Sequence, residues 1–359
     1  MQILANILLR NKFLCFLYLI APLLFGGIIY NIFKDATPRQ LPIGILDYDK
    51  STLSEEIIYN ITHSPTLKPT NFYHSIKEAQ EDLSTTKIYA LVVIPQDMQK
   101  KIKMGVMQEI TFYYNSQFIL IGKTLDNAML QIIALSNIKL QTGKNLIQVK
   151  NLQAAMGKSA PILPHINALF NPKNSYIQFL GTLILPCIWQ ILLALGLLNL
   201  LSYPIKNSGD FFMRFGFNLL IFMFWGMVMI YFFNTLKFPL VGNISLIFFA
   251  LLILGISISA IVAFLQSIFL NATKSISLIA AYTAPSLAFA GVTYPQSAMD
   301  SFALFWSHIL PISYFMELYF QQAHYGGDIL EGFFILAKML PFLLFLPAAW
   351  LIYKIKGKI

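Results

Sequence analysis

Charged residues are scarce in this sequence, because Asp, Glu, Lys and Arg together make up 11% of its 359 residues. Ordinary soluble domains carry roughly 25% charged residues. Apolar residues reach 57%, and phenylalanine alone occurs 31 times. A soluble domain has no need for so much uncovered apolar surface, whereas a chain surrounded by lipid does. The composition therefore indicates an integral membrane protein.

Cysteine is nearly absent, and the two that occur, Cys15 and Cys187, both fall inside apolar runs. We interpret each as a small buried hydrophobe and not as half of a disulfide. No two of the five histidines stand three or four residues apart, and no Cys/His cluster exists, which excludes the usual zinc patterns. Asp47 and Asp49 are interpreted as turn and cap residues beside a strand end. We predict no metal site and no cofactor bound by this chain.

A nucleotide site is also missing from the sequence. Gly122, Lys123 and Thr124 resemble the end of a phosphate-binding loop, but the motif needs a glycine five positions earlier, where Gln117 stands. The net charge is +9, yet no basic stripe interleaved with aromatic residues accompanies it, so nucleic acid is not an expected partner. We predict that the chain is not an enzyme and that ATP, with Mg²⁺, would be hydrolysed by a partner chain.

The sequence contains one long apolar run near its start and five more after about residue 178. The first is Phe13 to Phe33, and about 20 residues at roughly 1.5 Å each suffice to span the hydrocarbon. Because no small-residue cleavage site follows, we expect an uncleaved anchor. The predicted fold class is an α-helical polytopic membrane protein with six transmembrane helices. The five further spans are predicted at about 178–202, 211–233, 243–266, 275–293 and 333–353.

Between the first and second spans most of the charges occur, which predicts a folded domain. Strands are indicated at 41–46, 88–94 and 109–114, and they alternate with helices. This order implies a small α/β domain, and apolar residues at helical spacing from Ser116 to about Met156 add a long helix. The predicted organisation is residues 1–33 with the first span, 34–177 as an extracytoplasmic α/β domain, and 178–359 as a five-helix transmembrane domain.

Lysine and arginine predict the orientation of the spans. With the N-terminus in the cytoplasm, the short outer loops hold little beyond Lys237, and Lys338 lies near the outer end of the last span. We therefore expect both termini inside, the 34–177 domain outside, and residues 294–332 as short helices that dip into the outer leaflet. The cytoplasmic segments would then hold Arg10, Lys12, Lys206, Arg214, Lys274, Lys354, Lys356 and Lys358.

Glu317 stands in an aromatic run at membrane depth, where ionisable residues are costly unless they are paired or wet. Two interpretations stay open. In one, Glu317 has a gating or substrate-facing role together with Tyr314 and Tyr294. In the other, it is an interfacial carboxylate that faces the outer headgroups. Lys338 is expected to extend its amine to the outer surface.

Several short motifs occur in a fixed order along the chain. They are LPIGILDYDKSTLS at 41–54, IYALVVIP at 88–95 with Gly105 downstream, Asn171-Pro172 before the second span, APSLAFAGVTYP at 284–295 with Met299, and LPISYF at 310–315. This order resembles that of the ABC-2-type exporter permeases, in the subfamily with a large extracytoplasmic domain after the first span. The likeness covers nearly the whole chain.

The resemblance implies a permease dimer, either a homodimer or a heterodimer with a second permease, and each subunit is paired on its cytoplasmic side with an ABC ATPase that drives export. It also implies a bacterial inner membrane location and a periplasmic adaptor as a further partner. The family usually carries an acidic and basic docking motif after the second span, where this sequence reads SYPIKNSGDFFMR at 202–214, without glutamate. We assign ATPase coupling to Lys206, Asp210 and Arg214.

The expected cargo is a hydrophobic or amphipathic molecule, because the spans are rich in aromatic residues and poor in charge. A second class of function stays open at this point. The chain could be a membrane-anchored envelope or receptor protein that binds through its outer domain and transports nothing.

Overall fold

The computed structural model describes residues 11–34, 39–149, 153, 169–171 and 175–357. In chain order its main elements are α1 (Lys12–Phe33), β1 (Leu41–Asp47), α2 (Thr52–Thr62), β2 (Leu67–Phe72), α3 (Ile76–Ser84), β3 (Ala90–Ile94), α4 (Met98–Lys103), β4 (Thr111–Tyr114), α5 (Ile119–Val149), α6 (Ile177–Leu201), α7 (Ser208–Thr235), α8 (Ile244–Phe269), α9 (Ala272–Thr283), α10 (Ser286–Phe289), α11 (Ser301–Ile309), α12 (Pro311–Ala323) and α13 (Ile329–Ile355).

The chain forms two compact units. The helical unit comprises residues 1–36, 169–171 and 175–359, and the sheet unit comprises 37–168 and 172–174. The linker prolines at 161 and 164 and the end of the predicted long helix, beyond Val149, lie outside the described residues. The chain therefore leaves the helical unit after α1 and returns to it before α6.

Five helices in the described part of the chain are long and apolar enough to cross a membrane: α1, α6, α7, α8 and α13. α8 is the most enclosed of them. In its most apolar stretch 78% of the residues are buried, whereas the buried share in α1 is 22%. α8 packs against α6, α12 and α13. The helical unit is thus built around α8, and α1 lies at its periphery.

The structure corrects the prediction of six continuous membrane helices. The segment predicted as a span at 275–293 is two helices, α9 and α10, with a break at Ala284 and Pro285. Proline has no N–H to donate and disfavours helix in the residue before it. The 12 residues of α9 rise about 18 Å, which is less than the roughly 30 Å of hydrocarbon.

Residues 294–332 contain short helices, as predicted, in the form of α11 and α12. Pro311 occupies the first position of α12, where its missing N–H costs nothing. The last span begins at Ile329 and not at 333. The location of α11 and α12 in the outer leaflet stays a prediction.

The sheet unit contains a four-stranded sheet in the order β2-β1-β3-β4. β1 pairs in parallel with β2 and β3, and β4 runs antiparallel to β3. On one face Ile43 and Ile45 pack with α2, α4 and the Leu125 side of α5. On the other face Leu46 and Leu91 pack with α3. Successive strand residues point to opposite faces, which explains the two separate clusters.

Gly44→Ala tests the packing on the α3 face of the sheet. A Cβ at this position would lie 2.4 Å from Cε2 of Tyr73 and 3.0 Å from Cδ1 of Ile88. Tyr73 is fixed because its hydroxyl donates to Asp82 at 2.7 Å. Hydrogen bonds from Lys87 and then Tyr73 also hold the pKa of Asp82 below its usual range. We expect the substitution to destabilise the sheet unit by about 1–3 kcal/mol.

Amide hydrogen exchange of β1 and β3 in the full chain measures this effect. The matched control is Gly143→Ala on α5, where an added Cβ meets nothing within 4 Å. That control is expected to be stabilising by about 0.5–1 kcal/mol because alanine is the better helix former. Equal exchange rates in the two variants would contradict the packing described for Gly44.

Candidate functional site

The loop between α6 and α7, residues 202–207, joins two spans at one end of the helical unit. We call it the α6–α7 loop. Asn207 ends it by capping α7, since its Oδ1 accepts from the backbone N–H of Asp210 at 2.8 Å. Asparagine is among the preferred residues at a helix N-terminus because its side chain satisfies an otherwise free N–H. The cap fixes the point at which the loop enters α7.

Arg214 is 1% exposed and lies beneath the loop. Its Nε and Nη2 bind Asp210 at 3.0 and 2.7 Å. Its Nη1 donates to the carbonyls of Leu200 and Tyr203 at 2.8 and 3.0 Å, and Nη2 also donates to the Pro204 carbonyl at 2.8 Å. All five N–H donors of the guanidinium are therefore used. A single side chain fixes the end of α6, the loop and the first turns of α7.

The three predicted coupling residues come together here. Oδ2 of Asp210 accepts from the backbone N–H of Lys206 at 3.1 Å. The side chains of Asp210 and Arg214 are buried, whereas those of Tyr203, Pro204 and Lys206 are exposed. The buried pair therefore shapes the loop from inside, and the exposed side chains form the surface that a partner could contact.

Other contacts place the ends of the first and last spans beside this loop. Nδ2 of Asn11, at the start of α1, donates to the Tyr203 hydroxyl at 3.1 Å. Nε1 of Trp350, near the end of α13, donates to Ser208 Oγ at 3.0 Å. The helix ends near residues 11 and 355 thus lie at the same end of the helical unit as the α6–α7 loop.

Glu317, the predicted gating residue, is paired. Nζ of Lys338 lies 3.0 and 3.3 Å from its two carboxylate oxygens and 6.0 Å from the centre of the Tyr314 ring. The two side chains are 33% and 50% exposed. Lys338 is about 14 Å along α13 from its first residue, at roughly 1.5 Å per residue. The structure thus brings Tyr314 and Glu317 together through an ion pair that was not predicted.

Tyr294 lies in a separate turn. Its hydroxyl donates to the backbone carbonyl of Ala298 and closes the residues before α11. The structure therefore gives Tyr294 a local contact within its own turn.

Buried polar contacts between helices were missed in the sequence. The Tyr18 hydroxyl donates to Asn218 Oδ1 at 2.8 Å, and Asn218 Nδ2 donates to the Leu193 carbonyl at 3.0 Å. Nε2 of Gln190 donates to Ser286 Oγ at 2.9 Å. These contacts join α1, α6 and α7, and tie α6 to α10. Asn and Gln inside apolar runs are the signal that could have found them.

A glutamine connects helix ends at the opposite end of the unit. Oε1 of Gln322 accepts from the backbone N–H of Asn243, which caps α8, at 2.9 Å. Its Nε2 donates to Gln321 Oε1 and to the Gly327 carbonyl at 2.8 and 3.1 Å. The start of α8 and the turn between α12 and α13 are thereby held together.

Metal chemistry finds no support in the residues that the structure describes, where no three His, Cys, Asp or Glu residues are grouped to hold an ion. The buried polar side chains described above make contacts between helices and hold the α6–α7 loop.

A family model described as ABC-2 family transporter protein matches residues 12–350, from the start of α1 to near the end of α13. Comparisons with curated proteins and with solved structures gave no match. Permeases of this family are membrane transport components, and the family implies an ABC ATPase as a partner. The family resemblance found in the sequence is confirmed, whereas the subfamily with a large extracytoplasmic domain stays a prediction. The chain belongs to the ABC-2 transporter family as a membrane-spanning permease.

Proposed function

We propose that this chain is the permease subunit of an exporter that moves a hydrophobic or amphipathic molecule out of the cytoplasm or the inner membrane. A separate ABC ATPase would bind ATP and Mg²⁺ and supply the energy. The observation that carries the proposal is the α6–α7 loop. It is held from beneath by Arg214 and Asp210 and presents Tyr203, Pro204 and Lys206 outward, within a chain of the ABC-2 family.

The α6–α7 loop is proposed to face the cytoplasm, in a bacterial inner membrane. Lys12, Lys206 and Lys354 lie at the loop end of the spans, and Lys237 lies in the short connection at the other end. Cytoplasmic flanks of membrane helices carry an excess of lysine and arginine. Both termini would then be inside, and the sheet unit would be outside, where a periplasmic adaptor could bind it.

A second permease subunit is proposed to pack on the free face of α9 and α10. Ser275, Ile279 and Thr283 are buried on one face of α9. The opposite face is exposed and carries small residues at a spacing of three or four, namely Thr273, Ser277, Ala280, Ala281, Ala284 and Ala288. Small residues let membrane helices approach closely, which favours this face as the subunit contact.

We propose that the Glu317–Lys338 ion pair, together with Tyr314, forms a polar contact for the substrate in the outer part of its path. The two charged side chains are partly exposed, and a charge exposed to hydrocarbon is costly. A neighbouring subunit or a water-filled outer path would remove that cost. Tyr294 is proposed to act in the same region only through the shape of its turn.

Lys206→Glu tests ATPase coupling with the least disturbance of the fold. The side chain is exposed, and its backbone bond to Asp210 does not depend on it. The tagged chain is purified from membranes of its native host, and MgATP hydrolysis per mole of chain is measured. We expect a several-fold loss of co-purified activity for Lys206→Glu, because charge complementarity fixes the register of such contacts.

The matched control is Lys237→Glu, the same change in an exposed loop at the opposite end of the spans, which should retain full activity. Retention of activity in both variants would contradict the coupling role of the loop. If no ABC ATPase co-purifies with the unaltered chain, that result would favour an envelope or receptor protein.

A further inference from the structure

A crevice opens between α1, α6 and α7, in the half of the helical unit away from the α6–α7 loop. Its volume is about 300 Å³. The second half of α1, from Pro22 to Tyr30, forms one wall, and Trp189, Trp225 and Phe232 contribute to the others. All three helices are candidate membrane spans. The crevice therefore lies within the apolar part of the chain.

The course of α1 explains why the crevice exists. Its first half packs on the unit through Leu14, Leu17 and Tyr18, which are nearly completely buried. Residues 16–20 then form a π-helical stretch, and Pro22 follows. After Ala21, which is 1% exposed, α1 has no further buried residue. π-Helical turns and proline are the usual causes of a helix changing direction. The second half of α1 stays in contact with α6, and its Tyr30 ring centre lies 5.7 Å from that of Phe232 on α7, so the crevice is a gap in the packing of the three helices.

The crevice is a built feature, because a side chain stabilises the irregular turn. Pro22 has no N–H, so the Tyr18 carbonyl loses the donor that a regular helix would supply. Nε1 of Trp225 donates to this carbonyl at 2.7 Å. Nε1 of Trp189 likewise donates to the Phe222 carbonyl at 2.6 Å. Both indole N–H groups are therefore occupied, and the rings present carbon to the crevice.

The walls define the chemistry of an occupant. Apart from the two indoles, the lining side chains are aliphatic or aromatic, with Tyr30 carrying the one hydroxyl. Water needs two to four polar partners to be held in a cavity, and apolar cavities take apolar ligands. A helix about 10 Å across is too wide for the volume. At roughly 30 Å³ for each group the size of a water molecule, about ten methylene-sized groups would fit.

We propose that this crevice binds one hydrocarbon chain of a bilayer lipid. A lipid chain is the apolar molecule that surrounds a membrane-spanning helix, and it is narrow enough to enter. The bound chain would fill the space between the second half of α1 and the aromatic residues of α6 and α7. The proposal requires that the spans lie in a bilayer, but it does not depend on transport or on an ATPase.

Two glycines on α1 provide a direct test. Gly26 and Gly27 line the crevice, and an added Cβ at either position meets nothing within 4 Å. The double substitution Gly26→Leu, Gly27→Leu therefore adds bulk at the wall of the crevice, and the added Cβ atoms displace no neighbour. Gly216→Leu is the matched control, because Gly216 lies on α7 with the same open space but does not line the crevice.

Fluorescence reports the occupant. In the full chain, Trp306→Phe and Trp350→Phe leave Trp189 and Trp225 as the tryptophans. This protein is reconstituted into vesicles of phosphatidylcholine whose acyl chains carry bromine, which quenches tryptophan on contact. We expect strong quenching with both glycines present, at least a two-fold smaller quenched fraction in Gly26→Leu, Gly27→Leu, and no change in Gly216→Leu. Equal elution volumes in gel filtration establish that the variants fold alike.

Two results would overturn the proposal. Undiminished quenching in the double variant would mean that the chains contact the indoles elsewhere. Weak quenching in all variants would mean that protein, such as a second copy, fills the crevice. Neither result bears on ATPase binding, so failure here is distinguishable from failure of the proposed function.

Discussion

Arg214→Leu is expected to lower the free energy of unfolding of the helical unit by about 3–5 kcal/mol and to abolish ATPase binding. The substitution leaves the Asp210 carboxylate buried without its cation. It also removes the donors to the carbonyls of Leu200, Tyr203 and Pro204. Breaking a buried ion pair costs more than the pair itself contributes, because an uncompensated charge stays behind. The α6–α7 loop would lose its shape together with this stability.

Thermal unfolding of the purified chain with Cys15→Ser, followed by the reaction of the remaining Cys187 with a thiol-specific dye, measures the effect. Cys187 is 2% exposed and reacts only when the helices separate. Two further variants divide the effect into its parts. Arg214→Lys keeps the charge but loses the planar fork, so we expect an intermediate loss. Asp210→Asn keeps an acceptor but leaves the buried guanidinium without its anion, and we expect a loss of about 3–5 kcal/mol.

We expect both the melting temperature and the amount of bound ATPase to be lowest in Arg214→Leu, intermediate in Arg214→Lys and highest in the wild type. A leucine variant that unfolds like wild type and still binds the ATPase would contradict the role given to Arg214. A variant with wild-type stability that loses only the ATPase would assign Arg214 to the contact surface, against its burial.

Gly196→Ala is the second substitution that is expected to lower the stability of the helical unit strongly. A Cβ on Gly196 would lie 2.4 Å from Asn218 Oδ1, 2.9 Å from Cε1 of Tyr18 and 3.1 Å from Cε2 of Phe222. The Asn218 amide is held by the Tyr18 hydroxyl and the Leu193 carbonyl, so moving it breaks one of two buried hydrogen bonds. We expect a loss of about 1–3 kcal/mol from overpacking and a comparable loss if a bond is left unmade.

The same Cys187 unfolding assay applies to this variant. Gly216→Ala is the control, because its Cβ would meet nothing within 4 Å, and it should match wild type or exceed it slightly. Cross-linking of α1 to α7 through cysteines introduced on facing positions should also fall in Gly196→Ala. Equal stability of the two alanine variants would contradict the close approach of α1, α6 and α7.

The continuous apolar spans could be read from the sequence because lipid demands a long run of apolar residues whatever the tertiary contacts are. The break in the segment predicted as a span at 275–293 could not be read from the sequence, since hydropathy does not distinguish one continuous helix from two shorter helices such as α9 and α10. The clearest warning was Pro285, whose effect depends on the neighbours that satisfy the freed backbone.

In the sheet unit, strands β1 and β3 were predicted because they are buried on both faces and therefore uniformly apolar. β2 was missed. It reads LKPTNF, it is mostly exposed, and it contains Pro69. Proline demotes a strand prediction but is tolerated at a sheet edge, and β2 is the edge strand next to β1, with a register shift between Ile43 and Gly44.

In the candidate site, too, local spacing could be predicted from the sequence and tertiary contacts could not. The spacing of four residues between Asp210 and Arg214 is compatible with a helical ion pair, so their proximity was accessible from the sequence. Their burial was not, because it depends on carbonyls from the end of α6 that fold back over the guanidinium. The pairing of Glu317 with Lys338 joins α12 to α13 across 21 positions, and no local pattern encodes it.

ATP hydrolysis by the reconstituted complex tests the central claim most directly. The chain and its co-purified ABC ATPase are placed in lipid vesicles, and hydrolysis is measured together with movement of candidate hydrophobic and amphipathic solutes. The permease account predicts that one of these solutes stimulates hydrolysis and is moved across the bilayer, and that Lys206→Glu lowers both effects several-fold. A complex that hydrolyses ATP at one constant rate and moves no solute would contradict it.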